Sequence, residues 1–127
     1  MALLLDTNAL LWYLQDSPSL SLVAKNAIDA AGLDVVVSTA SIWEISIKIQ
    51  TGKLVLGQDL DVLCSRIAVV GWSMLPIYTP ESKLAGALPM YHRDPLDRML
   101  VAQCQLYGHK IASADEKLDF YGVSRIW

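Results

Sequence analysis

The sequence predicts an α/β domain built on a central parallel sheet with helices on both faces. Three observations lead there. Short, almost wholly apolar runs recur along the chain, separated by stretches with helical spacing. Glycines fall where those helical stretches end. No repeat, low-complexity tract or linker interrupts the pattern. Continuous apolar runs mark strands buried on both faces, and regular alternation with helices sets such strands side by side and parallel. At 127 residues the chain accommodates one domain, residues 1–127, rather than two.

Taken in order, the strand runs are Ala2–Leu5, Asp34–Ser38, Met74–Ile77 and Lys110–Ser113, with Val123–Trp127 as a fifth candidate. Helical spacing covers 19–31, 42–51, 59–70 and 96–107. Gly32, Gly52, Gly71 and Gly108 each follow one of these stretches, as a left-handed C-terminal cap would. The 19–31 and 59–70 stretches are ordinary amphipathic helices, expected to form a hairpin or clip on one side. In 42–51, Ile42, Ile45 and Ile49 form one apolar face while Trp43 and Ile47 form another. A helix apolar on two sides is buried on two sides, here by its own sheet and by a second subunit. The 96–107 helix is apolar around most of its circumference, leaving Arg98, Gln103 and Gln105 as its polar remainder, and reads as a central helix.

Composition narrows the function classes. The apolar fraction is 54 % and mean hydropathy is +0.37, high for a soluble domain. Yet no run approaches the roughly 18–20 apolar residues of a membrane span. The opening MALLLDTNALLW has no basic leader and is interrupted by Asp6, so a signal peptide is not expected. The surplus apolar surface therefore points to a subunit or partner interface. Cys64 and Cys104 lie in apolar helical patterns without metal-ligand spacing, and read as reduced core residues of a cytoplasmic protein. Net charge is −3 and the pI about 5.1, whereas a simple electrostatic nucleic-acid binder is basic. That objection weakens if the acids are gathered in one place and neutralised by a divalent cation.

Four carboxylates occupy the same kind of place. Asp6 follows the first strand and opens a helix; Glu44 is expected in the first turn of the helix after the second strand. Asp97 lies in the first turn of the 96–107 helix, and Asp115 follows the fourth strand. In an open parallel sheet, strand carboxyl ends and the following helix starts share one edge, where ligands bind. Each acid also has a plain structural reading. Ser41 with Glu44, and Ser113 with Glu116, fit capping boxes, and Asp94-Pro95 with Asp97 fits an N-cap, a first-turn proline and an acidic third position. Asp6 fits a cap, and Glu44 can pair with Lys48 one turn on. Caps, however, require only Ser, Thr or Asn, and here four separate helix starts each carry an acid. Clustered carboxylates raise one another's pKa unless a cation lies among them, and hard oxygen ligands suit Mg2+ or Mn2+ rather than zinc.

Other constellations are thinner. His92 and His109 lack zinc-site spacing, and no glycine-rich phosphate loop is present. Tyr91, Arg93 and Arg98 flank Asp97 and are candidates for contact with a phosphate backbone, although a solvated helix end explains them equally. Thr7, Asn8 and Ser113 stand beside the acids, as hydrogen-bonding supports or as caps. A DxDxT phosphatase would need an acid where Asn8 stands, and a phospho-acceptor receiver would need paired acids after the first strand, where LLLDTN has one.

Four strings carry a family resemblance: LLLDTNALLW, SxxSIWEISIKIQTGKL, HRDPLDRMLVAQ and IASADEKLDFYGVSRIW. In this order and spacing they resemble a PIN domain over nearly the whole chain, nearest to the VapC-type toxins of toxin–antitoxin pairs. The resemblance implies a three-layer fold with a five-stranded parallel sheet, a homodimer, and Mg2+- or Mn2+-dependent cleavage of RNA. Carried over by position, the acids are Asp6, Glu44, Asp97 and Asp115, while Ser113 replaces the Thr common in the family and keeps its hydroxyl. Within that scheme Asp6 and Asp97 are direct or water-mediated ligands, Glu44 a ligand or base, and Asp115 a ligand for a second, looser ion. The resemblance further implies a small inhibitory antitoxin. The alternative is a PIN-like module that binds RNA or protein without cutting, for which a missing acid would be the sign; all four are present.

Overall fold

In a computed structural model, residues 2–127 of the protein are described. The strands are β1 (Leu3–Leu5), β2 (Val35–Ser38), β3 (Ser73–Leu75), β4 (Lys110–Ala112) and β5 (Arg125–Ile126). The helices are α1 (Thr7–Leu14), α2 (Leu22–Ala31), α3 (Thr39–Gln50), α4 (Leu60–Val70), α5 (Thr79–Ala87) and α6 (Pro95–Tyr107). Two 3-10 segments, Gly32–Asp34 and Glu116–Tyr121, complete the chain. All strand pairs are parallel and the sheet order is β3-β2-β1-β4-β5, the five-stranded α/β arrangement expected.

Alternation along the central strand divides the core into two layers. Successive side chains of a strand point to opposite faces. Leu3 and Leu5 enter one cluster with Leu10 of α1, Ala24 and Ile28 of α2, and Leu63 and Ile67 of α4. Leu4 enters the other with Leu100, Val101 and Cys104 of α6, Ile111 and Leu118. The 19–31 and 59–70 helices thus share one side of the sheet, and α6 takes the other. Leu4 and Leu5 are fully buried, and burial of each contributes roughly 1.5–3 kcal/mol.

Several local expectations are corrected. α3 starts at Thr39, capped by Ser38, whose hydroxyl accepts from the Ala40 N–H. The predicted Ser41–Glu44 capping box is therefore absent, Glu44 moves to the second turn, and the Ser41 hydroxyl is buried without a partner. Likewise Asp115, not Ser113, caps the 3-10 segment, accepting from the Lys117 N–H at 3.0 Å. β3 ends before Pro76, which has no N–H to extend a ladder. Helix α5 carries little apolar periodicity; its sequence signals are Pro80 at the start and Glu81 in the first turn. Cys64 is exposed, because the buried stripe of α4 runs through Leu63 and Ile67. Ile49, at the end of α3, is half exposed, while Ile45 is fully buried. Gly71 adopts the left-handed cap (φ 91°, ψ 12°), and a Cβ there would meet Leu33 Cδ2 at 2.9 Å. Gly32 instead has φ 57° with ψ −119°, outside the left-handed helical region.

Candidate active site

The site lies where the topology reverses. From β1 the chain moves outward through β2 and β3, then returns to lay β4 on the other side of β1. A crevice opens at the carboxyl ends of strands at such a switch point. The Asp6 N–H donates to the Ala112 carbonyl (3.1 Å), tying the two strand ends together.

A cavity of about 280 Å3 occupies this edge, walled by Asp6, Glu44, Asp94, Asp97 and Asp115 with Thr7, Asn8, Lys48 and Ala114. Asp6 caps α1, its Oδ1 accepting from the Ala9 N–H at 2.7 Å. Glu44 is buried and held from two sides: the Thr7 hydroxyl donates to Oε1 (3.0 Å), and Lys48 Nζ contacts Oε2 (2.8 Å). Asp94 caps α6 through the Leu96 N–H, and Asp97 follows in the first turn. The Ser113 hydroxyl accepts from the Asp115 N–H at 3.1 Å and is close enough to the Asp6 carboxyl to favour its charged form. Asn8 is exposed at the rim.

The arginines lie differently. Arg98 directs Nη1 at the main-chain carbonyls of His92 and Arg93, both at 3.0 Å, and so braces the loop before α6. Arg93 is exposed. Neither walls the acidic cavity.

Three residues escaped sequence reasoning as parts of the site. Lys48 was visible only as a helix-surface partner of Glu44. Asp94 read as a cap, although its i,i+3 spacing to Asp97 puts both on one side of the helix start. His92 carries no sequence signal of its own, because no second histidine is spaced to join it. In the structure its Nε2 lies 2.5 Å from Asp115 Oδ2 and 3.2 Å from Asp97 Oδ2.

Crowding of acids shows in their ionisation. Burial, then the neighbouring Asp94, pushes the Asp97 carboxyl up to about 7, against a downward pull from His92. Burial also raises Asp6, opposed by hydrogen bonds from Ser113 and the Ala9 N–H and assisted by Glu44 and Asp115. Lys48 is raised through its bond to Glu44, with Asp94 and Asp97 adding to the effect. Raised carboxyls around one cavity mark negative charge the protein itself leaves under-compensated.

The donor set fits a hard divalent cation. Oxygens of Glu44, Asp94 and Asp97 lie within 4.8 Å of one another, as do ligand atoms of His92, Asp97 and Asp115. Asp97 belongs to both sets, and Asp6 backs the cavity without joining either among the described residues. An all-oxygen carboxylate set is what Mg2+ or Mn2+ prefers, and a doubly charged ion would offset the burial, and the lesser repulsion from Asp94, that raise Asp97.

The fold has counterparts among solved structures. The fold is similar to a toxin–antitoxin complex from Klebsiella pneumoniae (TM-score 0.62, 19 % identity), covering 91 % of this chain and 87 % of that one. It is similar to FitAcB from Neisseria gonorrhoeae (TM-score 0.68, 19 % identity, 97 % and 95 % covered). A third similar structure is VapBC2 from Rickettsia felis bound to a DNA fragment from its promoter (TM-score 0.69, 10 % identity, 98 % and 97 % covered). No curated protein matches the sequence. The family described as PIN domain matches residues 3–124, a span that begins with β1 and contains every carboxylate of the cavity; the chain belongs to the PIN domain family.

Proposed function

We propose that this protein is a divalent-metal-dependent endoribonuclease, the toxin of a toxin–antitoxin pair. One observation carries the reading: acids from four distant chain segments meet in a single open cavity at the sheet's switch point. Glu44, Asp94 and Asp97 hold the ion, Mg2+ or Mn2+, while Asp6 and Asp115 flank it. A bound ion of this kind supplies a water of lowered pKa and neutralises charge growing on the leaving oxygen of a phosphodiester. Thr7 and Lys48 fix the Glu44 carboxylate, Ser113 holds the Asp115 segment beside Asp6, and Asn8 lines the rim as a further polar support. Exposed Arg93 meets the RNA backbone, and Arg98 contributes by holding the loop that bears Arg93.

Two partners belong to this reading. The exposed Trp43 and Ile47 of α3 pair two copies as a homodimer, since apolar surface of this kind is characteristic of subunit contacts. A small antitoxin protein is the second, by likeness to the toxin–antitoxin complexes of similar fold. No described helix is long and apolar enough to cross a membrane, and we place the activity in the cytoplasm.

Purified protein incubated with mixed RNA and Mg2+, Mn2+ or EDTA tests the proposal, with Asp97→Asn as control. Cutting that requires the metal and is lost in the variant is expected. Absence of cutting under every condition, with the fold intact by circular dichroism and no copurified inhibitor, overturns it in favour of an RNA- or protein-binding module.

A further inference from the structure

His92 is held more firmly than a loop residue beside a cavity needs to be. Its N–H donates to the Tyr121 hydroxyl (2.9 Å), which in turn donates to the Pro89 carbonyl (2.6 Å). Its carbonyl accepts from Arg98. Its ring is pinned as well, because Nδ1 lies 3.1 Å from the Asp94 main-chain nitrogen. A main-chain N–H can only donate, so Nδ1 must present a lone pair, and the ring proton sits on Nε2. That N–H faces the Oδ2 atoms of both Asp115 and Asp97. Coordination through Nε2 would require the proton to move to Nδ1, where it would oppose the Asp94 N–H.

We propose that His92 is a positioning residue, whose Nε2–H bridges Asp97 and Asp115 and orients their oxygens toward the cavity, and that it is not itself a ligand of the divalent ion. The inference rests on the metal-dependent reading of the site. It assigns the histidine a task that its closeness to two carboxylates would otherwise suggest was ligation. Asp115 is then fixed at both oxygens, Oδ1 by the Lys117 N–H and Oδ2 by His92, whereas Asp97 keeps one oxygen outside the bridge. Outer partners that orient metal-binding carboxylates typically change affinity by about 10–100-fold when removed.

Mn2+ alone serves as the probe, with affinity read by EPR and directly bonded nitrogen read by pulsed EPR. The wild type is expected to bind Mn2+ with no coupling from a coordinated imidazole nitrogen. His92→Ala is expected to weaken Mn2+ and, by competition, Mg2+ by a similar factor of about 10–100. His92→Gln, which can return an amide N–H to the carboxylates, is expected to recover most of the loss. A coordinated-nitrogen signal in the wild type that disappears in His92→Ala overturns the proposal, and that reading does not depend on the variant's stability. So does a folded His92→Ala that binds Mn2+ within about twofold of wild type. Failure of the folded wild type to bind Mn2+ at all is a different result: it removes the metal-dependent reading, and this inference falls with it.

Discussion

Two cavities lie side by side on this molecule and share Asp94. One is the acidic cavity of about 280 Å3; the other, about 380 Å3, is walled by Trp43, Ile47, Ile77, Ala85, Pro95 and Met99 among others. The same two helices line both. On α3, Glu44 and Lys48 serve the acidic cavity while Trp43 and Ile47 serve the apolar one, so pairs four residues apart are offset by a single position. One position is about 100° of rotation, enough to turn a side chain from one cavity to the next. On α6, Asp97 faces the acids while Leu96 and Met99 face the apolar side. Neighbouring residues thus answer to opposite demands: one cavity concentrates charge at a cost in stability, and the other leaves apolar surface for a partner.

The largest effect expected from breaking this contrast is at Asp97. Asp97→Asn keeps the shape and removes the charge, and metal-dependent RNA cleavage should fall by at least about 100-fold. A folded variant cutting at the wild-type rate would remove Asp97 from the chemistry. On the apolar side, Trp43→Asp should weaken self-association by about 30-fold or more, the loss typical of a central aromatic contact. Analytical ultracentrifugation measures this, and an unchanged association constant would locate the dimer contact elsewhere.

A smaller effect concerns pH without divalent ions. The folded Asp97 value is about 7 against 3.8 for a free carboxyl. Between these values the folded protein keeps a proton that the unfolded chain has released, so raising the pH removes stability. This contribution is complete below the lower value and gone above the upper one. The stability of wild type relative to Asp97→Asn should therefore fall as pH rises from about 5 to about 8. Taking the difference removes His109, whose value burial lowers and which acts with the opposite sign. Thermal unfolding at several pH values checks it, and a difference that stays flat or rises would contradict the assignment. The smallest effect belongs to Ser41, whose buried hydroxyl has no partner. Ser41→Ala should leave stability unchanged or raise it by up to about 1 kcal/mol. A loss larger than that in denaturant titration would reveal a hydrogen bond hidden in the folded state.

What was legible in the residues follows from how local each signal is. The apolar runs of β1, β2 and β4 announced a parallel sheet, because burial on both faces leaves no polar alternation to mislead. Asp6, Glu44, Asp97 and Asp115 could be assembled at one edge because each stands just beyond a strand or at a helix start. The sequence puts Glu44 in the first turn and the structure in the second, since Ser38 and Ser41 both suit a cap and only the backbone decides between them. Helix α5 was obscured because TPESKLAGA buries little beyond Glu81 and Ala85. His92 was invisible as part of the site for a different reason. Its partner Asp115 lies 23 positions away, and the bond depends on the loop fixed by Tyr121 and Arg98.

The pairing of β1 with β4 has a consequence in time. Leu3 lies beside Lys110 and Leu5 beside Ala112, so the middle strand of the sheet gains one of its neighbours only after the chain through Ala112 has been made. Contacts that span nearly the whole sequence form late, because a long loop must close before they yield anything. A growing chain emerging from the ribosome carries Asp6 and Glu44 early, but lacks the helix bearing Asp94 and Asp97 and the segment bearing Asp115. Whatever the acidic cavity does is thereby withheld until the segment through Asp115 has been made, and a fragment that stops before Pro95 has no complete cavity.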